Sequence, residues 1–286
     1  MIVVTGEALI DLIPTATGDL GVHPGGGPFN TARWLGRLGA EVAFLESIAA
    51  DPLGQRLRDE LVAAGVALDL LVPTALPTTL ALVQLDAAGV AQYAFYPDTS
   101  MADVWPEQVE ALLPSVALEA LYLGSIGLVL EPAASAGVRA VQLARARGAV
   151  VMVDPNIRAS LIADRAVYLA RLDAVLAQTD VLKLSVDDLA WLAPGEPPLA
   201  AARRWLDHGP RAVLLTGGAL GATVLTDAGA EEIPAVAVEV VDTIGAGDAF
   251  SAGLLTWWWE AGRPALEHAS LVAAAAFAVQ VAAATC

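Results

Sequence analysis

The residues best suited to chemistry lie in the segment Asp-Thr-Ile-Gly-Ala-Gly-Asp, which ends at Asp248. A β-type run, Val236 to Val241, leads into this segment, and a strongly apolar run with helical character, Ala249 to Trp259, follows it. A glycine turn between a strand and a helix points several backbone N–H groups at one spot, with the positive end of the helix dipole behind them. Such a spot suits an anion, and Gly245 and Gly247 let the backbone approach it without a Cβ in the way.

Asp248 places a negative charge where that anion would sit, and two interpretations follow. The first is structural, because Asp is a favoured residue at the start of a helix. The second is catalytic: Asp248 takes a proton from a nucleophile that attacks a phosphorus atom, while the N–H groups of Gly245, Ala246 and Gly247 stabilise the phosphoryl oxygens. The pattern itself leaves both interpretations open.

Composition limits the partners of the chain. The 286 residues predict one large domain, or one domain with a small appendage. They carry 15 Lys and Arg against 32 Asp and Glu, for a formal net charge of −17. No basic cluster exists, so neither nucleic acid nor an anionic membrane surface is an expected partner. The single cysteine, Cys286, excludes an internal disulfide and favours a cytoplasmic location. The three histidines lack ligand spacing, which argues against zinc.

The hydrophobic content raises the question of a membrane segment, since 56% of the residues are hydrophobic. The longest uncharged stretch, Ala269 to Cys286, consists mostly of Ala and Val and contains Gln280. A spanning helix needs about 20 strongly apolar residues. We therefore predict a buried helix there. No basic segment precedes an apolar run at the start of the chain, so we expect no signal peptide.

From residue 119 onward, apolar strands alternate with helices. This rhythm predicts a doubly wound α/β fold: a mostly parallel sheet with helices on both faces and ligands beyond the carboxyl ends of the strands. The predicted strands are Ala120–Ser125, Ala149–Asp154, Asp180–Leu184 and Ala212–Thr216. Earlier in the chain, a β-hairpin is predicted from 78–85, a turn at 86–89 and 90–96.

Two motifs over 200 residues apart resemble the signatures of one family. Asp-Thr-Ile-Gly-Ala-Gly-Asp is similar to the C-terminal signature of the ribokinase family of carbohydrate kinases, also called the B-type phosphofructokinase family. The segment Gly25-Gly26-Gly27-Pro28-Phe29-Asn30, with Ala32 and a helix ending at Leu38-Gly39, resembles its N-terminal signature. The resemblance implies a single ribokinase-like domain over 1–286, with a small β-sheet lid from parts of about 8–24 and 76–102.

The resemblance implies that one set of residues binds a sugar. Asp11, Gly26, Gly27 and Asn30 would bind its hydroxyl groups, and Phe95 is the lid aromatic that we expect to touch it. Carboxylate and amide oxygens accept hydrogen bonds from polyol hydroxyls. The structural alternatives are a surface Asp at a strand end and an Asn in the first turn of a helix.

Three predicted strand ends carry further candidates. Asp154-Pro155-Asn156-Ile157-Arg158 resembles fructokinase-like and ketodeoxygluconate-kinase-like members, and Arg158 would steady the phosphoryl group or the sugar; a surface Arg is the alternative. Ser185 and Asp188 fit a helix capping box and replace the family's usual Asn-x-x-Glu. The third strand end, Thr216-Gly217-Gly218-Ala219-Leu220-Gly221, resembles the family's nucleotide-binding turn, with a plain tight turn as the alternative. The resemblance assigns to the nucleotide Lys183, Ser185, Thr216, Gly218, Gly221, Gly245 and Gly247.

Metal ions enter through the resemblance alone. Asp188 would act on Mg²⁺ through water, and the family analogy allows a monovalent-cation site, for K⁺, near Asp242 and Ile244. A P-loop and a Rossmann fingerprint are both absent from the sequence, which argues against a P-loop enzyme and a dehydrogenase.

The predicted function is ATP-dependent phosphorylation of a primary hydroxyl of a small sugar, with Asp248 as base. Fructose or a related ketose is favoured by the opening Gly-Glu-Ala-Leu-Ile-Asp and by Asp-Pro-Asn-x-Arg. The alternatives are a 2-keto-3-deoxygluconate kinase, a ribose or nucleoside kinase, and a sugar or nucleotide sensor with little turnover. Trp257, Trp258 and Trp259 cannot all face one side of a helix, so one is available for an oligomer contact, with a homodimer as the hypothesis.

Overall fold

The computed structural model describes residues 1–15, 17–85, 91–96, 99–238 and 244–285. Its strands are β1 (Ile2–Thr5), β2 (Leu9–Pro14), β3 (Leu20–Gly25), β4 (Val42–Leu45), β5 (Ser47–Ala49), β6 (Val72–Thr74), β7 (Leu80–Leu85), β8 (Ala91–Phe95), β9 (Ala120–Gly124), β10 (Val150–Asp154), β11 (Val181–Ser185), β12 (Ala212–Thr216), β13 (Ala222–Thr226) and β14 (Gly229–Ile233). Its α-helices are α1 (Gly27–Arg37), α2 (Pro52–Ala63), α3 (Pro106–Leu112), α4 (Ala133–Ala146), α5 (Arg165–Leu176), α6 (Val186–Leu192), α7 (Pro198–Arg204), α8 (Ala246–Glu260) and α9 (His268–Ala283).

The main sheet has the strand order β14-β13-β12-β11-β10-β9-β1-β4. The strands from β12 to β4 run parallel, and β13 and β14 extend the sheet by antiparallel pairing. The chain begins at β1, places β4 on one side of it and builds the rest of the sheet from β9 on the other. A crevice therefore opens between the carboxyl ends of β1 and β9, where such folds bind ligands. The predicted doubly wound α/β architecture is confirmed.

Helices cover both faces of this sheet, because successive residues of β1 are buried in two different cores. Ile2 and Val4 are fully buried in a core shared with α1, α2, α8 and α9. Val3, between them, is fully buried in a second core shared with α3 to α7. Because successive strand residues point to opposite faces, an uninterrupted apolar strand requires two cores.

A smaller sheet stands beside the crevice, with strand order β3-β2-β7-β8. The strands β7 and β8 form the predicted hairpin, and the predicted turn between them, at 86–89, lies outside the described residues. Residues 6–8 connect β1 of the main sheet to β2 of the small sheet, and Gly26 connects β3 to α1. Both connections lie beside the crevice. The predicted additional small sheet is confirmed.

One local expectation was wrong. The run Val236–Val241 was expected to form a strand, but residues 234–238 have no regular secondary structure, and 239–243 lie outside the described residues. Val236 and Val238 are about two-fifths exposed. They line the crevice instead of extending the sheet beyond β14, so their β-branched side chains serve as a wall.

The three adjacent tryptophans of α8 have different environments. Trp258 is buried and donates from Nε1 to the carbonyl oxygen of Pro264 over 3.0 Å. Trp257 and Trp259 are partly buried, and Nε1 of Trp259 donates to Glu119 over 3.2 Å. Within the described ranges, no helix combines the length and apolarity needed to cross a bilayer.

Candidate active site

One cavity of about 800 Å³ occupies the crevice, a volume typical of small-molecule sites. Every predicted site residue that the structure describes lines this cavity. The residues predicted to bind the sugar, together with Arg158, line the part of the cavity nearer the small sheet: Asp11, Gly26, Gly27, Asn30, Phe95 and Arg158. The residues predicted to bind the nucleotide and metal ions, or to take part in catalysis, line the rest of it: Lys183, Ser185, Asp188, Thr216, Gly218, Gly221, Ile244, Gly245, Ala246, Gly247 and Asp248. Asp242 lies outside the described residues.

The predicted catalytic turn, Gly245 to Asp248, forms the start of α8. Gly245 is the residue before the helix, with φ of 81°, a conformation that glycine adopts without a Cβ penalty. No side chain caps this helix end, and the N–H groups of Ala246 and Gly247 face the cavity end of the helix, where the dipole is positive. This arrangement can bind the oxygens of a phosphoryl group.

Asp248 lies in the first turn of α8 and is only 7% exposed. Nδ2 of Asn30 donates to its Oδ2 over 3.0 Å, so its side chain does not cap its own helix. Burial raises the pKa of Asp248 to about 7, against the lowering effect of the Asn30 hydrogen bond. A carboxylate with a pKa near neutrality is suited to accept a proton in catalysis.

Arg158 is held by Asn156, which adopts a left-handed conformation with φ of 38°. Nη1 of Arg158 donates to Oδ1 of Asn156 over 2.7 Å and to its carbonyl oxygen over 3.2 Å. The positive charge of Arg158 lowers the pKa of Glu7, Asp11 and Asp248. Burial is the larger effect for each of these carboxyl groups and raises the pKa of Asp11 to about 6 and that of Glu7 to about 7.

Gly27 marks the point where three polar side chains converge. A Cβ on Gly27 would lie 2.9 Å from Nδ2 of Asn156, 3.2 Å from Oδ1 of Asp248 and 3.7 Å from Oε1 of Glu7. These groups therefore surround the missing side chain of one residue. The glycine is required by this close approach, because any larger side chain would displace the Asn156 amide or the Asp248 carboxylate from the cavity.

A buried ion pair lies beneath the catalytic turn. Nζ of Lys183 donates to Oδ2 of Asp154 over 2.7 Å, and Tyr122 and Ser251 donate to the same oxygen over 3.2 and 3.4 Å. Burial alone would lower the pKa of Lys183, but the Asp154 carboxylate outweighs it and the pKa is raised, so the ammonium stays charged. A Cβ on Gly247 would lie 3.4 Å from this Nζ, which places the positive charge below the phosphoryl-binding turn.

Ser185 and Asp188 form the predicted capping box at the start of α6. Oγ of Ser185 accepts from the Asp188 N–H over 3.0 Å, and Oδ2 of Asp188 accepts from the Ser185 N–H over 2.8 Å. The other oxygen, Oδ1, accepts from the Ile157 N–H over 2.7 Å. Both carboxylate oxygens thus already have protein donors, which suits a contact with a metal ion through water better than direct ligation. Among the described residues, no group of three or more His, Cys, Asp and Glu side chains could hold a metal.

The far end of the cavity is apolar. The turn around Gly218 and Gly221 faces a wall of small aliphatic side chains, provided by Ala235, Val236, Ala237, Val238, Val279, Ala282 and Ala283. Such a surface suits the flat faces of a nucleotide base. The cavity therefore runs from a charged, hydrogen-bonding end to an apolar end, with the catalytic turn between them.

The sequence analysis did not identify Glu7, Ile126 and Asn156 as site residues, although all three line the cavity. Asn156 belongs to the motif that indicated Arg158, so the motif contained the signal. Glu7 is a charged residue between two apolar strands, which is the pattern of a buried and bonded carboxylate. Ile126 follows β9 as an apolar residue and carries no such signal.

The chain is similar to carbohydrate kinases in both sequence and fold. The sequence profile of the pfkB family of carbohydrate kinases matches residues 1–286. A fructokinase from Rhizobium leguminosarum bv. trifolii is 39% identical over 261 residues, covering 89% of this chain and 78% of that protein. The structure of a fructokinase from Xylella fastidiosa with bound ATP has a TM-score of 0.89 and 30% identity, and the match covers 99% of this chain and 90% of that chain.

A further similar structure contains a sugar, a nucleotide and a metal ion together. It is a fructokinase double mutant from Vibrio cholerae O395 with fructose, ADP and potassium ion bound, with a TM-score of 0.87, 27% identity and coverage of 99% of this chain and 90% of that one. The family match spans residues 1–286, and Asp248, the glycine turn before it and the apolar wall line one cavity. The chain belongs to the pfkB family of carbohydrate kinases.

Proposed function

We propose that the protein is an ATP-dependent fructokinase, which transfers the γ-phosphoryl group of ATP to a primary hydroxyl of fructose or a related ketose. The observation that carries this proposal is the position of Asp248. Its carboxylate lines the cavity from the first turn of α8, with Oδ1 on the side of Gly27, and Nδ2 of Asn30 donates to Oδ2 over 3.0 Å. The similarity to fructokinases supports the choice of sugar.

The mechanism follows from the positions of the chain's own groups. The sugar hydroxyl gives its proton to Asp248, and its oxygen forms a bond to the γ-phosphorus of ATP. The bond between that phosphorus and the bridging oxygen to the β-phosphate breaks, and ADP leaves with the electron pair. The N–H groups of Gly245, Ala246 and Gly247 stabilise the charge on the transferred group, and the Lys183 ammonium adds a positive charge from below.

Mg²⁺ is proposed as the ion that accompanies ATP. Asp188 would hold it through water, because both of its carboxylate oxygens already accept protein hydrogen bonds. When bound, the ion neutralises charge on the phosphates. For K⁺, the proposal rests on family analogy and on the potassium ion in the similar Vibrio cholerae structure, and it would involve the region of Asp242 and Ile244.

The charges at the sugar end favour a neutral substrate. Glu7, Asp11 and Asp248 supply three carboxyl groups there, and Arg158 is the cation that acts on all three. Arg158 is also bonded to Asn156 over 2.7 Å. A sugar acid or a sugar phosphate would bring a further negative charge to this end. Fructose is therefore favoured over 2-keto-3-deoxygluconate and over ketose phosphates.

Location and assembly are secondary proposals. The single cysteine in the sequence favours the cytoplasm. A homodimer remains a proposal that rests on the partly buried side chains of Trp257 and Trp259, and light scattering of the purified protein would test it by the measured mass.

The decisive experiment is a coupled assay of ADP release with ATP and Mg²⁺ across fructose, ribose, 2-keto-3-deoxygluconate, tagatose 6-phosphate, fructose 6-phosphate and adenosine. We expect turnover with fructose and much weaker turnover with the acidic and phosphorylated sugars. A preference for adenosine or ribose would replace the proposed substrate. Silence across the panel, with ATP binding confirmed by calorimetry, would instead favour a sensor.

A further inference from the structure

Glu7 is a buried carboxyl group at the junction between the main sheet and the small sheet. It lies between β1 and β2 and is 2% exposed. Oε1 accepts from the Gly27 N–H over 2.9 Å, and Oε2 accepts from the Ile126 N–H over 3.0 Å. Its carbonyl oxygen also accepts from the Phe29 N–H over 3.3 Å. One residue thus fastens the start of α1 to the turn that follows β9.

The start of α1 depends on this residue for its hydrogen bonds. The residue before the helix is Gly26, which has no side chain to cap it, and the first turn contains no acidic residue. The first N–H groups of any helix lack partners within the helix. Glu7 supplies acceptors for two of them, at Gly27 and Phe29, and its negative charge lies at the positive end of the helix dipole.

The same helix carries Asn30, which directly follows Phe29 and lies about one turn after Gly27. Nδ2 of Asn30 donates to Oδ2 of Asp248 over 3.0 Å, and Oγ1 of Thr31 donates to the carbonyl oxygen of Asp248 over 3.4 Å. A shift of the first turn of α1 would therefore be transmitted to Asp248. The sequence places these groups far apart, and the fold joins them through one capped helix end.

We propose that Glu7 is a positioning residue for phosphoryl transfer: it caps α1 from the β1–β2 junction and thereby holds Asn30 against Asp248. This inference rests on the proposed role of Asp248 as the base. A carboxylate is needed because two N–H donors, from Gly27 and Ile126, approach its two oxygens. A glutamine would present one oxygen and one NH₂ group, so one of the two donors would lose its acceptor.

The pH dependence of activity separates positioning from a direct charge effect. Loss of the Asn30 bond would raise the pKa of Asp248, since that bond lowers it. Removing the negative charge of Glu7 would have the opposite direct effect, if it had any. The charged and titratable groups that face Asp248 are Asp154, Lys183, Arg158 and Tyr122, and Arg158 also acts on Glu7. If Glu7 acts by positioning, the acidic limb of the profile of kcat/KM against pH should move to higher pH in Glu7→Gln. If it acts only through its charge, that limb should move to lower pH.

The test compares Glu7→Gln with a matched control, Asp180→Asn, because each change replaces a buried carboxyl group by its amide. Asp180 is 4% exposed, accepts from the Val151 N–H over 3.0 Å and does not line the cavity. We expect Glu7→Gln to lower kcat/KM for the sugar about tenfold or more, to move the acidic limb of the pH profile to higher pH and to leave KM for ATP unchanged. Asp180→Asn should match the wild type in all three measurements.

A double-mutant cycle with Asn30→Ala completes the test. If Glu7 acts through Asn30, the double variant Glu7→Gln/Asn30→Ala should be no worse than Asn30→Ala alone. Effects that multiply, or an acidic limb that stays in place or moves down in Glu7→Gln, would overturn the proposal. Should Glu7→Gln fail to fold, Glu7→Asp, which keeps the charge with a shorter reach, provides the same readouts. Turnover retained by Asp248→Asn would refute the base assignment separately.

Discussion

Nδ2 of Asn30 donates a hydrogen bond to Oδ2 of Asp248 over 3.0 Å, although 218 positions separate the two residues. The bond joins α1 to the first turn of α8, and both residues line the cavity. It leaves Oδ1 of Asp248 on the side of Gly27, where a Cβ would lie 3.2 Å away. The carboxylate is thus oriented through Oδ2, and Oδ1 faces the space above Gly27.

Asp248→Asn should keep ATP binding and lower kcat by about 10²-fold or more, because a positioned base supplies roughly 10²- to 10⁴-fold. The amide has nearly the same shape as the carboxylate but cannot take the proton. Steady-state kinetics with calorimetric measurement of ATP affinity checks both parts. Near-wild-type turnover would exclude Asp248 as the base, and a lost affinity for ATP would indicate damage to the turn.

Asp11→Ala should raise KM for the sugar and change KM for ATP little, because Asp11 lies at the end of the cavity that faces the small sheet. Asp19→Ala is the matched control: Asp19 is exposed, precedes β3 in the same sheet and does not line the cavity. KM for each substrate, measured with the other saturating, separates the two effects. Equal effects on both substrates would mean that Asp11 is merely structural.

The two family motifs allowed Asp248, Asn30 and the glycines to be predicted as site residues, because each motif keeps its functional residues close together in the sequence. The motif that indicated Arg158 also contains Asn156. The role of Glu7 could not be predicted in this way, because it depends on contacts that the fold creates, such as the bond to the Ile126 N–H, 119 positions away. The strand expected at Val236–Val241 was wrong for the same reason, since β-branched residues suit a cavity wall as well as a sheet.

The pH dependence of kcat/KM for the sugar follows from the buried carboxyl groups. Burial raises the pKa of Asp248 to about 7, and only its deprotonated form is a base, so activity should rise as the pH rises through about 7. Below that value kcat/KM should fall about tenfold per pH unit. Glu7, with its pKa raised to about 7, should steepen the fall from that same value, and Asp11, with its pKa raised to about 6, should steepen it further below about pH 6. A profile that is flat from pH 5.5 to 8 would contradict the base assignment.

Gly27→Ala should reduce activity with little loss of fold. The new Cβ would lie 2.9 Å from Nδ2 of Asn156 and 3.2 Å from Oδ1 of Asp248, so the base or its neighbour must move. Misplacement by about 1 Å can cost 10²-fold in rate. We expect kcat/KM for the sugar to fall by about that factor while the circular dichroism spectrum stays unchanged. Wild-type kcat/KM would show that the space above Gly27 does not matter for the reaction.

Lys183→Met should impair both stability and use of ATP. Removing one partner of a buried ion pair lowers the free energy of unfolding by about 3–5 kcal/mol. Without Lys183, the buried Asp154 carboxylate would have no paired cation, and its Oδ1 already has no hydrogen-bond donor among the described residues. The loss of the ammonium below Gly247 should also lower kcat/KM for ATP, by about 10²-fold. The control is Lys183→Met/Asp154→Asn, which removes both charges and keeps an acceptor for the Tyr122 hydroxyl. In that variant the free energy of unfolding in urea should recover, and the defect with ATP should remain. If the double variant regained full activity with ATP, the Lys183 charge would have a role in folding alone.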